Sequence, residues 1–172
     1  MAVVAVGWFW YAGWRSTQNE LRFADAFVAY RTSRFRLGYP QGVGLSNPKL
    51  IAAEAAGLPI KLATMKRAVQ DLAPGVRRAA LAWMEAEIYS RALSADYEAI
   101  SDKLLRLNLG IHRDPKHPLV IRDREALDRH IAAYRMARDA FKELFASLGT
   151  PAQDRIRGYP LDDTDERGPV PY

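Results

Sequence analysis

Three residues with metal-ligating side chains lie close together in the sequence. His112, Asp114 and His117 fall within six consecutive positions, and histidine nitrogens and carboxylate oxygens are common ligands of zinc and related cations. The segment lacks the i, i+4 spacing that would put both histidines on one helix face, and no further ligand follows nearby. We therefore interpret these residues as a solvated loop and predict neither a metal nor another cofactor.

Paired carboxylates are the next candidates for chemistry, because general acid/base catalysis often uses two of them. Glu85 and Glu87 are separated by one residue, so on a helix they point to different sides and do not form a pair. The sequence also contains no Gly-x-Ser-x-Gly elbow and no Gly-rich phosphate-binding loop. These observations favour a non-enzymatic protein.

A resemblance to one enzyme family runs from Asn47 to Ile60, through the sequence Asn-Pro-Lys-Leu-Ile-Ala-Ala-Glu-Ala-Ala-Gly-Leu-Pro-Ile. This segment is similar to the first helices of lysozyme-like phage lysins and lytic transglycosylases. In those families the helix after the Gly-Leu-Pro turn delivers a glutamate that protonates the glycosidic oxygen. The corresponding place here holds Gln70 and Asp71. Because a glutamine cannot supply that proton, the resemblance implies lysin activity only if Asp71 takes the role.

The segment from Ile51 to Arg67 also resembles a helix-turn-helix, in which a turn glycine lets two helices pack closely and the second enters the DNA major groove. Gly57 would supply the turn, and a plain helical hairpin explains the same residues. The candidate nucleic-acid-binding residues are five cations with a single acid, Asp71, among them: Lys61, Lys66, Arg67, Arg77 and Arg78.

The first fourteen residues contain no charged side chain and carry five large aromatics: Trp8, Phe9, Trp10, Tyr11 and Trp14. Since such a cluster in water promotes aggregation, we expect a partner, a lipid surface or the chain's own core to cover it. The run is a poor secretory signal, because it lacks a basic start and a convincing cleavage site. Arg15 ends it short of the about 20 apolar residues that cross a bilayer. We therefore treat residues 1–15 as an apolar arm and its aromatics as partner-binding residues.

Helix start and stop signals predict the elements that position these groups. The capping-box pattern that begins at Thr17 predicts a helix from Thr17 to about Arg36. Asn47 followed by Pro48 predicts a second helix, with Gly57 as its C-cap. Another helix is expected to restart after the turn at residues 57–59.

Further start and stop signals divide the rest of the chain into predicted helices and loops. Glycines and a proline predict a loop at residues 37–44, and Pro74 predicts another break. Ser94 is expected to cap a new helix, and the last helix is expected to begin at its cap Asp123 and to close at Gly149. Since no segment alternates apolar and polar residues over a useful length, the prediction is an all-helical protein.

The last predicted helix carries an apolar seam of near-heptad spacing around Arg138. An arginine at the centre of such a seam pairs with a buried acid of the fold or contacts a partner. We include Arg138 among the candidate partner-binding residues. The seam consists of Leu127, Ile131, Tyr134, Phe141, Phe145 and Leu148.

Composition excludes several classes of site. The chain of 172 residues has no cysteine, which excludes disulfides, thiolate zinc sites, iron–sulfur clusters and cysteine nucleophiles. Its net charge is +5, with five acids and three arginines in residues 150–172, so this segment carries −2 and the remainder +7. Such a basic body suits an anionic surface. The segment's prolines and charges predict an extended polar tail.

Taken together, the sequence predicts an all-α, irregular bundle of about five to six helices. Residues 16–149 would form the helical domain, between the arm and the tail of residues 150–172. We expect a non-enzymatic structural or interaction subunit of a larger assembly, with a bacteriophage virion component as the specific version. Protein subunits would contact the arm and the tail.

Two alternatives remain open. One is a helix-turn-helix DNA-binding protein. The other is a peripheral or N-terminally anchored membrane-associated protein, with five arginines near anionic headgroups: Arg15, Arg22, Arg31, Arg34 and Arg36.

Overall fold

The structure is a computed structural model that describes the backbone of residues 2–38, 47–106 and 118–157. Within these ranges it describes the side chains of residues 11–37, 47–93 and 118–157. Over these ranges the chain is all-α and has no strand, which confirms the predicted fold class. The helices are α1 (Ala2–Gly38), α2 (Pro48–Gln70), α3 (Pro74–Arg106), α4 (Pro118–Ser147) and α5 (Thr150–Arg157).

Helix α1 begins well before the predicted start. The expectation of a helix start at Thr17 is wrong, because α1 runs without interruption from Ala2 to Gly38. Thr17 Oγ1 donates a hydrogen bond of 3.1 Å to the Gly13 carbonyl within the helix. A capping pattern marks the start of a helix only when the residues before it adopt a non-helical conformation. Residues 2–16 include no proline that would enforce one.

Helix α2 begins as predicted but continues through the predicted turn. Asn47 Oδ1 accepts a 2.9 Å hydrogen bond from the Lys49 amide, which confirms the cap, and Pro48 occupies the first helical turn. The expected turn at residues 57–59 is wrong, because Pro59 lies inside α2. Neither the helix-turn-helix nor the plain hairpin therefore describes this segment.

Two further start signals are also wrong. Ser94 begins no new helix, since α3 continues from Pro74 to Arg106. Asp123 is not the cap of the last helix, because α4 begins at Pro118. Asp123 instead lies inside α4 at 2% exposure, with its carboxylate 3.5 Å from Arg122 Nη2. The predicted breaks at Pro74 and Gly149 do separate helices.

The first eight residues of the predicted tail, 150–157, form α5 instead of an extended segment. The amides of Ala152 and Gln153 both donate to the Gly149 carbonyl at 3.0 Å, and Ile156 is buried. Burial of this short apolar side supports a helix that composition alone disfavours. Three segments lie outside the described residues: 39–46, which holds most of the first predicted loop, 107–117 with the two loop histidines, and the rest of the predicted tail at 158–172.

The chain divides into two compact units, and the first is built around α1. It comprises Met1–Arg78 and Phe145–Tyr172, with α1 packed against both α2 and α5. Phe23 and Phe27 of α1 are buried with their ring centroids 6.0 Å apart. Its other large buried side chains include Met65, Val69, Leu72, Leu148 and Ile156.

The second unit comprises Ala79–Leu144 and contains Trp83 at 2% exposure. Its buried positions on α4 are Asp123, Ala133, Ala137 and Leu144. The predicted seam residues of this unit, such as Ile131 and Phe141, are only half-buried. The buried face of α4 is therefore displaced from the predicted seam, and two of its buried positions are alanines.

Candidate functional site

A polar cluster joins α1 to α2 inside the first unit. Ser33 of α1 is fully buried, while Glu54 and Lys61 are seven residues apart and therefore share one face of α2. Lys61 Nζ donates to Ser33 Oγ and, at 2.6 Å, to Glu54 Oε1; Ser33 Oγ in turn donates to Glu54 Oε1. Arg36 Nη1 lies 3.7 Å from Glu54 Oε2. We call these four residues the α1–α2 cluster.

The α1–α2 cluster holds a charged carboxylate. Hydrogen bonds from Lys61 and then Ser33 lower the pKa of Glu54 against the opposing effect of burial. Lys61 Nζ donates to both Ser33 and Glu54, so it is not placed to accept the serine proton as a general base would. Ser33 is also at 0% exposure, where no substrate reaches it. This geometry favours a structural role for the cluster.

A groove of about 580 Å³ lies between α1 and α5. The ion pair between Arg155 Nε and Asp25 Oδ1, 2.5 Å long, crosses it. Nearby, the Gly149 amide donates a 2.7 Å hydrogen bond to Glu20 Oε2, which ties α5 to α1. The groove is open and two of its charged side chains, Asp25 and Arg155, pair with each other, so it lacks the enclosed apolar surface typical of ligand pockets. Its lining consists of Gln18, Leu21, Arg22, Asp25, Pro151, Asp154 and Arg155.

The second unit contains its own buried ionisable groups. Glu87 is buried and pairs with Arg91 Nε at 2.9 Å, whereas Glu85 is exposed, so the prediction that these acids point to different sides is confirmed. Burial, and then the charge of Arg91, lower the pKa of His130. Within the described parts of the chain, no three acidic or histidine side chains are placed to hold a metal ion.

The predicted partner-binding aromatics lie on the first part of α1. Trp8, Phe9 and Trp10 are helical, and their side chains fall outside the described set. Tyr11 and Trp14 are 52% and 57% exposed, with ring centroids 6.1 Å apart. All of residues 11–15 are exposed. We call the apolar stretch of α1 at residues 2–14 the apolar segment.

The five predicted nucleic-acid-binding cations do not form one surface. Lys61 belongs to the α1–α2 cluster, and Arg77 Nη2 donates a 3.0 Å hydrogen bond to the Leu72 carbonyl. The remaining three are exposed: Lys66, Arg67 and Arg78. A recognition helix also needs the turn that α2 lacks.

Arg138 contacts its own neighbour in the sequence. Its Nε and Nη2 both donate to Asp139 Oδ1 at 3.3 Å, and the Asp139 side chain is 63% exposed. The structure therefore shows no buried acid in this pair, and a partner contact at Arg138 stays a prediction. Asp71, the candidate acid of the lysin resemblance, is exposed; its amide caps α2 and its carbonyl accepts a 2.8 Å bond from Asn19.

Comparison with known proteins gives no relative: no protein-family model, curated protein or solved structure matches this chain.

Among the described residues, no helix combines the length and the apolarity required to cross a membrane.

Proposed function

We propose that this protein is a non-enzymatic attachment subunit of a larger assembly, held to its neighbour by the apolar segment of α1. The observation that carries the proposal is the exposure of residues 11–15 on every side of the helix. Five consecutive residues cover more than the about 3.6 residues of one helical turn, so no face of α1 is covered there.

The exposed part of α1 differs from the part that follows it. From Phe23 to Tyr30, α1 alternates buried and exposed positions as a helix packed on one side does. Around Tyr11 and Trp14, by contrast, large aromatic rings are left in water. A helix that is apolar on all sides is normally buried, and tryptophan and tyrosine are the residues most enriched at the energetic centres of interfaces. Attachment through this segment accounts for both features.

The remaining geometry is compatible with an attachment role. The α1–α2 cluster stabilises helix packing, and the α1–α5 groove is crossed by an ion pair. Neither provides an activated nucleophile or an unpaired acid/base couple. The proposal therefore assigns these groups to folding and the apolar segment to binding.

The test compares the association of the full chain with that of a Tyr11→Ser/Trp14→Ser double variant, by size-exclusion chromatography with light scattering. We expect the unaltered chain to associate and the variant to be a monomer with the same melting temperature, because both side chains lie outside the core. Tyr89→Ser is the matched control, since Tyr89 is 51% exposed in the second unit. A monomeric unaltered chain whose solubility is unaffected by the double substitution would contradict the proposal.

A further inference from the structure

We infer that the apolar segment enters an anionic lipid bilayer along the axis of α1, with Arg15 at the lipid headgroups and Arg22 just outside them. The inference rests on the proposed function, because it names the surface to which α1 attaches. It makes the alternative of a membrane-associated protein specific, because it names α1 as the inserted helix, axial entry as its orientation, and Arg15 and Arg22 as the cations attracted to anionic lipid.

The order of residue types along α1 follows the layers of a bilayer. Residues 2–7 are small or aliphatic, residues 8–14 hold the aromatics, and Arg15 follows. At about 1.5 Å per residue, each of the two stretches spans about 10 Å. The headgroup layer on each side of a bilayer is about 5–8 Å thick, and tryptophan and tyrosine concentrate there. The aliphatic stretch then lies at acyl-chain depth and the arginine at the phosphates.

An upright orientation follows from the absence of a polar face. A helix that lies flat on a membrane has one charged face for water and one apolar face for lipid. Residues 2–14 have no charged side chain on any face, and residues 11–15 are exposed on all sides. Lying flat would therefore leave apolar surface in water, whereas axial entry covers every side.

Helical geometry limits which arginines reach the headgroups. α1 is one helix from Ala2 to Gly38, so Arg22 is about 10 Å and Arg36 about 31 Å along the axis from Arg15. The potential of a charged surface falls off over a Debye length of about 8 Å at physiological salt. Arg15 and Arg22 are both exposed. Arg15 lies at the charged surface, Arg22 lies slightly more than one Debye length from it, where the attraction is reduced to about a third, and Arg36 lies too far away. The packed body of the first unit begins near Phe23, beyond the headgroups.

The test measures binding of the full chain to vesicles of phosphatidylcholine, alone or mixed with phosphatidylserine, by flotation. We expect preferential binding to the mixed vesicles, and tryptophan emission quenched by brominated acyl chains. Arg15→Gln is expected to weaken binding to mixed vesicles about five-fold, equivalent to about 1 kcal/mol for one cation at the surface. Arg22→Gln is expected to have a smaller effect. Arg36→Gln is the control farther along α1 and is expected to have no effect on binding; because Arg36 belongs to the α1–α2 cluster, the melting temperature of this variant is measured alongside.

Four results would overturn the inference. Equal losses for Arg15→Gln and Arg36→Gln would indicate a helix lying flat, and equal binding to both vesicle types would exclude recognition of anionic lipid. Absence of binding to either vesicle, with association still abolished by Tyr11→Ser/Trp14→Ser, would identify a protein partner and leave the proposed function intact. Absence of vesicle binding and of any effect of that double substitution on association would overturn both proposals.

Discussion

At the scale of single residues, the buried hydroxyl of Ser33 determines how α1 meets α2. A fully buried hydroxyl without a partner costs about 1–3 kcal/mol, but Ser33 accepts from Lys61 and donates to Glu54. The Ser33 hydroxyl is therefore satisfied both as an acceptor and as a donor. Removing the carboxylate would leave both Ser33 and Lys61 without their common acceptor.

Glu54→Gln keeps one acceptor oxygen but removes the negative charge from the hydrogen bonds with Lys61 and Ser33. It is expected to reduce the free energy of unfolding by about 1–3 kcal/mol at neutral pH, because hydrogen bonds to charged groups are the stronger ones. Because folding lowers the Glu54 pKa from 4.5, its contribution is complete above that value and is lost as pH falls through the folded-state pKa. Urea unfolding at several pH values measures this. We expect the unaltered chain to lose stability below about pH 4.5 and the variant to lose less.

Glu85→Gln is the control for that experiment, because Glu85 is an exposed carboxylate on α3. It is expected to change stability by less than about 0.5 kcal/mol. An equal acid-dependent loss of stability in the Glu54→Gln variant and the unaltered chain would contradict the role of the α1–α2 cluster.

Sequence patterns could place residues on faces of a helix but could not show their partners. The opposite directions of Glu85 and Glu87 follow from helical spacing alone. Lys61, in contrast, is from its sequence a candidate for DNA contact in one alternative, whereas the structure pairs it with Ser33, 28 residues away on another helix. The i, i+7 spacing of Glu54 and Lys61 was the available signal, and only packing against α1 reveals its use.

At the scale of elements, the continuity of α2 through Pro59 is the least expected feature. A proline inside a helix removes one backbone hydrogen bond and crowds the preceding turn, at a cost of about 3 kcal/mol. Glu54 and Lys61 lie on either side of Pro59 and both bond Ser33. Since both halves of α2 are held to one point on α1, tertiary contacts offset the local cost.

Pro59→Ala is expected to raise the free energy of unfolding by about 1–3 kcal/mol, because it restores a backbone hydrogen bond inside α2. Pro74→Ala is the matched control and is expected to be nearly neutral, since Pro74 is the first residue of α3, where the missing amide has no helical partner. Urea denaturation measures both. A destabilised Pro59→Ala variant would mean that the proline maintains a needed bend.

Helix ends marked by proline or an N-cap were predictable, and helix interiors were less so. Asn47 and the breaks at Pro74 and Gly149 are confirmed, because each provides a local reason to start or stop. The signals at Thr17 and Ser94 failed. A residue that can cap a helix does so only where the helix actually begins or ends. Tertiary packing decides whether a helix continues through such a residue, as α1 and α3 do at Thr17 and Ser94.

At the scale of the whole molecule, a net charge of +5 permits contact with nucleic acid without specifying it. Only three of the five predicted cations on α2 and α3 are exposed and free of the bonds described above: Lys66, Arg67 and Arg78. Any binding by this region is therefore expected to be weak and governed by phosphate contacts.

We expect retention on duplex DNA only at low salt, with a log–log slope against salt no steeper than about −3, since each phosphate contact adds about −0.9. Binding titrations at several salt concentrations measure the slope. Replacing Lys66, Arg67 and Arg78 with glutamine is expected to flatten it. A slope near about −4.5 corresponds to five phosphate contacts. It would mean that Lys61 and Arg77 also contact DNA, which would contradict their hydrogen bonds within the protein.

The bond between Gly149 and Glu20 joins residues 129 positions apart, with a consequence for the order of synthesis. Residues 79–144, the second unit, lie between the two sequence segments of the first unit. At about 5–20 residues per second, a ribosome takes several seconds to make this stretch after finishing α2. During that interval α1 lacks α5, and the apolar segment has already been made. We therefore expect the nascent chain to expose the apolar segment and the side of α1 that α5 later covers at the same time, which is a period of raised aggregation risk.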